Sequence, residues 1–357
     1  MRVSILGNGL TSLALAQMLA NEGIRVDIFS NKRITRYKKI QTLGISKTNI
    51  DFFNKNILSI KKLLWNINKI EIFTENLHDE KVIDFEDYDK NLFFIVRNSD
   101  LYKTLNENLK RNKLVKFKEK INSFNSIKED YKLIFNCDYN HPISKKFFYK
   151  KLDKDYNSLA YVATFKHKKL SDNHLASQIF TKQGPLAFLP ISSTETSVVY
   201  SVKGKKKINL EELINKYNKK YKILSISDFF CFGLKSSNLR SYYYQNIIAF
   251  GDMLHRLHPL AGQGFNMTIR DIKEIYKLIN FKKKHGLDLD ISIVKDFEKN
   301  TKNKNFLFSN GIDFIYEFFS FESKFKNKKL SKFIQFLGKN KPMNKFFKSF
   351  ADKGLNI

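Results

Sequence analysis

Residues 3–6, Val3-Ser4-Ile5-Leu6, form a compact apolar run that passes directly into Gly7-Asn8-Gly9-Leu10-Thr11-Ser12. Leu10, Leu13, Ala14, Ala16, Gln17 and Leu19 then recur at helical spacing. Gly23 stands where a glycine ends a helix, and Val26, Ile28 and Phe29 make the next apolar run. Strand, glycine turn, helix, strand is a βαβ opening, which calls for a parallel sheet flanked by helices. In such a turn the first glycine permits the tight bend. The second lets backbone approach a pyrophosphate seated on the helix N-terminus. The third position is Ser12, small enough for close helix–strand packing. The acid expected at the end of the second strand is absent: Ser30 stands there, and Asp27 lies inside the strand. A plain βα turn would explain the glycines alone; the complete strand–turn–helix–strand pattern favours a nucleotide.

A second informative segment covers residues 247–266. Ile247-Ile248-Ala249-Phe250 reads as a short buried strand, followed by Gly251-Asp252 and a turn punctuated by Pro259, Gly262 and Gly264. A helical pattern begins near Asn266. A glycine-flanked turn feeding a helix start presents bare backbone N–H groups and the positive end of a dipole, which suits an anionic or electron-rich ligand. His255 and His258 lie three apart with no third ligand suggested, so they read as loop packing rather than as a metal site or catalytic pair.

Between these segments, residues 48–64 read as a helix, and 70–73 and 82–85 as short strands. Asn98 or Ser99 is expected to cap a helix running to about Arg111, and residues 131–135 form another buried strand. From 159 to 202 the pattern changes to successive strands, expected to form a separate antiparallel layer, with a helix over 209–221. After Asn266 the chain reads as mostly helix. In 325–350, Phe333, Phe336, Leu337, Phe346, Phe347 and Phe350 alternate with lysines, which fits either a helix packed on the core or a basic face against lipid.

The net charge is +29, from 64 basic and 35 acidic residues. The lysines are spread along most of the chain without a nucleic-acid module, so nucleic acid ranks last as a partner. A solvated lysine surface of compositional origin ranks first, and attraction to an anionic membrane second. Cys137 and Cys231 are the only cysteines and have no disulfide or zinc spacing, which fits a reducing cytoplasm. No apolar leader precedes the first strand, and no run approaches the ~20 apolar residues needed to span a bilayer. The expectation is a cytoplasmic protein, soluble or peripheral on the inner face of the membrane.

Gly251-Asp252, His255, residues 258–266 and Arg270-Asp271 together resemble the flavin-contacting segment of ubiquinone-biosynthesis hydroxylases, which are class A (para-hydroxybenzoate hydroxylase-like) FAD monooxygenases. Further matches are residues 184–190 (GPLAFLP), 160–167 (AYVATFKH), Gly311-Ile312-Asp313 and Phe318-Phe319-Ser320. The resemblance implies that Gly7 and Gly9, with Leu10, Thr11 and Ser12, lie under the FAD pyrophosphate, and that Asn98 lies near the nucleotide. Asp252 would bind the ribityl chain, and Pro259, Gly262, Gln263, Gly264, Phe265 and Asn266 would border the isoalloxazine ring. Departures are Ser12, Ser30, Gln41 where the family tends to carry arginine, and Tyr139 where it has the glycine of an Asp-Gly pair.

The family's fold is α/β: a Rossmann-like FAD-binding domain with a mostly parallel sheet, a mainly antiparallel substrate domain, and C-terminal helices. The expected division is 1–64, 86–140 and 238–285 for FAD, 65–85 and 141–237 for substrate, and 286–357 for the helical tail. The implied activity is NAD(P)H- and O₂-dependent hydroxylation of a polyprenylated phenol or quinol, a ubiquinone precursor, through a flavin C4a-hydroperoxide. No catalytic side chain and no metal ligand is singled out. Association with other ubiquinone-biosynthesis proteins is a further expectation. The rivals are the same chemistry on another aromatic substrate, and a flavin-poor scaffold of the same fold that binds lipid or partner proteins.

Overall fold

The computed structural model describes residues 1–30, 41–77, 80–86, 91–119, 128–204, 208–258, 262–325 and 328–354. Among these, the strands form three sheets. In the first, Arg2–Leu6 is central, flanked in parallel by Arg25–Ser30 on one side and Leu133–Asn136 on the other. Val115–Glu119 and Ile247–Ala249 extend it in parallel, and Tyr243–Tyr244 closes one edge antiparallel. The helix Leu10–Asn21 is buried on nearly every side, including Leu13, Leu15, Ala16, Met18 and Leu19. Its apolar residues run all round because it is sandwiched between the sheet and the helices Asn98–Arg111 and Gln263–Lys284.

The second sheet has nine strands. Its centre is the 17-residue strand Lys151–His167, paired antiparallel with Glu195–Lys203, with Phe230–Leu239 and with Ile223–Ile226. Gly184–Pro190, Leu175–Thr181, Lys69–Thr74 and Lys81–Glu86 continue it outward, with a single parallel pair between Leu175–Thr181 and Lys69–Thr74. One face of this sheet carries Tyr161, Phe165, Phe188, Val198 and Tyr200, which form a core with the helix Leu210–Tyr217. The third sheet is small: Thr42–Ser46, Phe93–Arg97 and Trp65–Ile67, antiparallel. It bridges the other two.

Several boundaries differ from the sequence reading for identifiable reasons. The helix expected over 48–64 is Lys47–Asn56, because Asn56 bonds back to Phe52 O and Asn54 Oδ1 accepts the Ile60 N–H, which turns the chain. Neither Asn98 nor Ser99 caps the next helix; the cap position is Arg97, and the Asn98 N–H is taken by Gln41 O. The helix expected near Asn266 starts at Gln263 behind a left-handed Gly262. Among the described residues the tail is three helices, Ser292–Phe325, Lys328–Lys339 and Lys341–Lys353. The last break lies at Asn340, whose side chain accepts from Met343 N, with a proline in the first turn. Among the described residues no helix is long and apolar enough to cross a membrane.

Candidate cofactor site

Three parallel strands end side by side, and their carboxyl ends hold the glycine motifs. Gly7 N donates to Phe29 O (2.8 Å), Cys137 N to Leu6 O (2.9 Å), and Phe250 N to Asn136 O (2.9 Å). The crevice outside such strand ends, where the chain leaves in opposite directions, is where open α/β sheets take ligands. Gly7 has φ +104°, and a Cβ there would sit 3.3 Å from Asp138 Cβ. Both the turn and the close approach of the next strand end therefore require glycine. Gly9 caps the helix Leu10–Asn21 without any side-chain hydrogen bond, and no acid occupies the first turn. The amide donors and the positive dipole end are left for a ligand. Ser12 is fully buried beside Cys137, so the third position of the motif does permit close packing. Burial pushes the Cys137 thiol up to about 12, and it stays protonated.

The second motif meets the first directly. Gly251 has φ +66°, and a Cβ there would fall 2.5 Å from Thr11 Cγ2 and 2.8 Å from Thr11 Oγ1. The Gly251–Met253 turn therefore sits on the first turn of the Leu10–Asn21 helix. Asp252 points outward from it, exposed, and makes no hydrogen bond or ion pair among the described residues.

The second helix start is built from Gly262, which is left-handed (φ 61°, ψ 27°) and lacks a side-chain cap, again with no acid in the following turn. Gly262 backs onto Gly44: a Cβ on Gly262 would lie 3.6 Å from Gly44 N, and a Cβ on Gly44 would strike the Phe93 ring at 1.9 Å. A glycine inside a strand often marks such an approach, and Gly44 in Thr42–Ser46 is the sequence signal for this one. Asn266 is completely buried and acts as a staple. Its Oδ1 accepts from Ser46 N and from Asn49 Nδ2, both at 2.9 Å, and its Nδ2 donates to Gly44 O at 2.9 Å. Asn266→Ala is expected to lose about 2–3 kcal/mol of stability, since several buried groups lose their partners; thermal unfolding measures it.

Gln263 is buried and accepts from Arg270, and Phe265 packs on Phe53. Gly264 has open space above it. Pro259 lies outside the described residues. Asn98 begins its helix close to Gln41, and its Oδ1 is buried with no partner among the described residues. Beside it, Arg97 pairs with Glu195, and Thr42 Oγ1 donates to Ser197 Oγ at 3.1 Å, joining the bridging sheet to the nine-stranded one. Tyr139 does not adopt positive φ, so the turn at Asp138 forms without the family's glycine. Its ring is flanked by Lys151 and by the Arg256 guanidinium (5.2 Å).

The two histidines have separate roles. His255 Nε2 bonds Asp271 at 2.6 Å, and Asn305 Nδ2 donates to the other carboxylate oxygen at 3.0 Å, locking the strand turn to two helices. His258 is buried between Tyr316 (stacked, 4.2 Å) and Tyr156 (edge-on, 4.9 Å). Burial, helped by the nearby Lys154 charge, holds it at about 3, well below the usual imidazole value. The folded state thus rejects a proton that the unfolded chain accepts below about pH 6.5, so stability falls as pH drops from there towards 3. His258→Phe is expected to remove about 2 kcal/mol of the stability difference between pH 7 and pH 5. Parallel denaturant titrations of both proteins at the two pH values read it.

No family model matches the chain. In sequence it is similar to the mitochondrial ubiquinone biosynthesis monooxygenase COQ6 of Rattus norvegicus, 25% identical over 195 residues, covering 42% of this chain and 41% of that protein. It is also similar to the 3-demethoxyubiquinol 3-hydroxylase of Escherichia coli, 26% identical over 153 residues, covering 40% of this chain and 39% of that one. The matches thus span less than half the length of these curated relatives. The whole fold aligns with p-nitrophenol 4-monooxygenase PnpA from Pseudomonas putida (TM-score 0.77, 12% identity, 99% of this chain and 98% of that one).

The chain has the fold of FAD-dependent monooxygenases.

A second solved structure with this monooxygenase fold, a single-site variant of Klebsiella pneumoniae HpxO complexed with FAD, aligns over 99% of each chain at TM-score 0.74 and 10% identity. Within the monooxygenase fold, the sequence similarity lies with the ubiquinone-biosynthesis hydroxylases.

Proposed function

We propose that this chain binds FAD and is a monooxygenase hydroxylating an aromatic ring, with a polyprenylated phenol or quinol of ubiquinone biosynthesis as substrate and NAD(P)H as reductant. The observation that carries the reading is the contact of Gly251 with Thr11, which sets an acid that is unpaired among the described residues beside an uncapped helix N-terminus. That pairing suits a dinucleotide: amides of Gly9, Leu10, Thr11 and Ser12 for the pyrophosphate, and the Asp252 carboxylate to accept hydrogen bonds from ribityl hydroxyls. The buried Asn98 Oδ1, without a partner among the described residues, adds an acceptor on the nucleotide side. The second uncapped helix start, at Gly262, Gln263, Gly264 and Phe265, would face the ring system and favour negative charge on its reduced form.

When bound, FAD supplies the redox chemistry, passing electrons from the nicotinamide to dioxygen, of which one atom reaches the substrate and the other leaves as water. The chain's own part is to hold, orient and keep water out. On the face of the nine-stranded sheet that carries Ser197, the register aligns Val162, Val199, Ala187 and Leu189. This apolar surface, turned towards the Thr42–Ser46 strand by the Ser197–Thr42 bond, suits an aromatic ring. The division of labour proposed is FAD at 1–64, 86–140 and 238–285, and substrate at 65–85 and 141–237. The names of the similar proteins support the substrate class.

The test is O₂ uptake by FAD-loaded protein with NAD(P)H and short-chain prenylphenols, with products read by mass spectrometry. A product heavier by one oxygen atom, formed only with phenol present, is expected. FAD-loaded protein that forms none from any phenol tested overturns the hydroxylase reading.

A further inference from the structure

One face of the nine-stranded sheet is walled along two lines. On one line Ala176 and Leu189 pack with Ile67, Ile95 and Phe93 of the bridging sheet. On the other Phe180 packs with Phe308, Ile312 and Phe319 of the helix Ser292–Phe325, and Ala160 with its Tyr316. Side chains alternate along a strand, so Gln178, which lies between Ala176 and Phe180, points to this same face. The register sets it in a row that crosses six strands between the two walls: Ile72, Gln178, Ala187, Val199, Val162 and Phe230.

Neither wall covers the middle of that row. Gln178, Ala187 and Val199 are half-buried, whereas Ala176 and Phe180, on either side of Gln178, are each only 4% exposed. The row is therefore the floor of a cleft between the bridging sheet and the long helix. From Gln178 to Val199 it spans two strand spacings, about 10 Å, wide enough for one substituted ring. The helix Gln263–Lys284 reaches from one wall to the other. Gly262, just ahead of it, backs onto Gly44 of the bridging sheet, and its Met267 enters the core around Phe180. The helix start assigned to the flavin ring system thus borders this cleft.

Five of the six floor residues are apolar, and Gln178 breaks the pattern. The alternation Ala176, Gln178, Phe180 calls for another apolar side chain. Its amide makes no hydrogen bond among the described residues. A ligand that fills the cleft strips water from that amide and must replace the lost hydrogen bonds. The row carries no charge, so it suits a neutral oxygen rather than a carboxylate or phosphate. An amide matches a ring hydroxyl either way: its Oε1 accepts from the O–H, and its Nε2 donates to the oxygen.

We infer that Gln178 is a substrate-recognition residue whose amide hydrogen-bonds a hydroxyl group on an aromatic ring lying over Ala187 and Val199. The inference rests on the hydroxylase reading for the class of ligand and adds the group that selects it. A ring without the hydroxyl leaves the amide desolvated and unpaired, which is how such a site rejects it.

The experiment is equilibrium dialysis of 4-prenylphenol and of prenylbenzene against the full chain, with and without FAD, while FAD retention is scored on the same samples. Gln178→Met keeps the length of the side chain and removes the amide. It is expected to weaken 4-prenylphenol about tenfold and to leave prenylbenzene within about twofold. Its far-ultraviolet dichroism should match the parent, because the amide holds no other described residue. Ala187→Phe fills the floor and is expected to weaken both compounds at least about tenfold. Unchanged 4-prenylphenol affinity in Gln178→Met overturns the inference, as does equal weakening of the two compounds. Binding that Ala187→Phe leaves intact overturns the placement, and so does FAD-retaining parent protein that binds neither compound. A chain that retains no FAD but shows the Gln178-dependent difference removes the cofactor reading and leaves this inference standing.

Discussion

Gly251→Val is expected to abolish stable flavin retention and to cost the fold about 4 kcal/mol. A β-branched residue is strained at φ +66°, by about 1–3 kcal/mol. Its Cβ would also overlap Thr11 at 2.5 Å, and overpacking of that kind costs about 1–3 kcal/mol more. Both the Gly251–Met253 turn and the Leu10–Asn21 helix would have to move apart, and the separation opens the cleft that joins the two motifs. Thermal unfolding gives the stability change, and gel filtration in the presence of FAD gives the retention. A variant as stable as the parent would mean that the two segments do not touch as described.

Asp252→Ala is expected to leave stability within about 0.5 kcal/mol of the parent, because the carboxylate is exposed and unpaired among the described residues. FAD affinity should nevertheless fall roughly 10- to 100-fold, the equivalent of one charge-assisted hydrogen bond. The contrast with Gly251→Val separates a residue that holds the cleft together from one that faces a ligand. Equal FAD affinity in the variant and the parent would remove Asp252 from the site.

The parallel sheet was legible because its signals are local. Short, mainly apolar runs, a glycine turn and helical spacing lie within 30 residues of one another, and the buried helix Leu10–Asn21 shows as a stretch rich in leucine and alanine. The helix expected over 209–221 stops early for a local reason as well: Asn218 turns its side chain to Tyr221 N and Lys220 N and ends it at Tyr217. What stayed hidden is long-range. Gly44 marks a close approach, but nothing near it tells that Gly262 is what backs onto it or that Phe93 covers it. Asn266 reads as a site residue from its neighbours, whereas its amide is engaged by Ser46, Asn49 and Gly44, residues more than 200 positions earlier. Ser30 leaves no acid at the end of its own strand, and Asp27, three residues earlier, is not free to substitute. Burial would raise its pKa, but Lys118, Tyr131 and Arg2 outweigh that and hold it lowered, with Arg2 at 2.5 Å and Lys118 at 2.8 Å.

The cofactor site is tested most directly by the visible spectrum of the purified chain after incubation with FAD and gel filtration. Flavin bands with shifted fine structure, co-eluting with the protein, are the expected result. FAD that elutes wholly free of a folded protein, even from a large excess, would contradict the site.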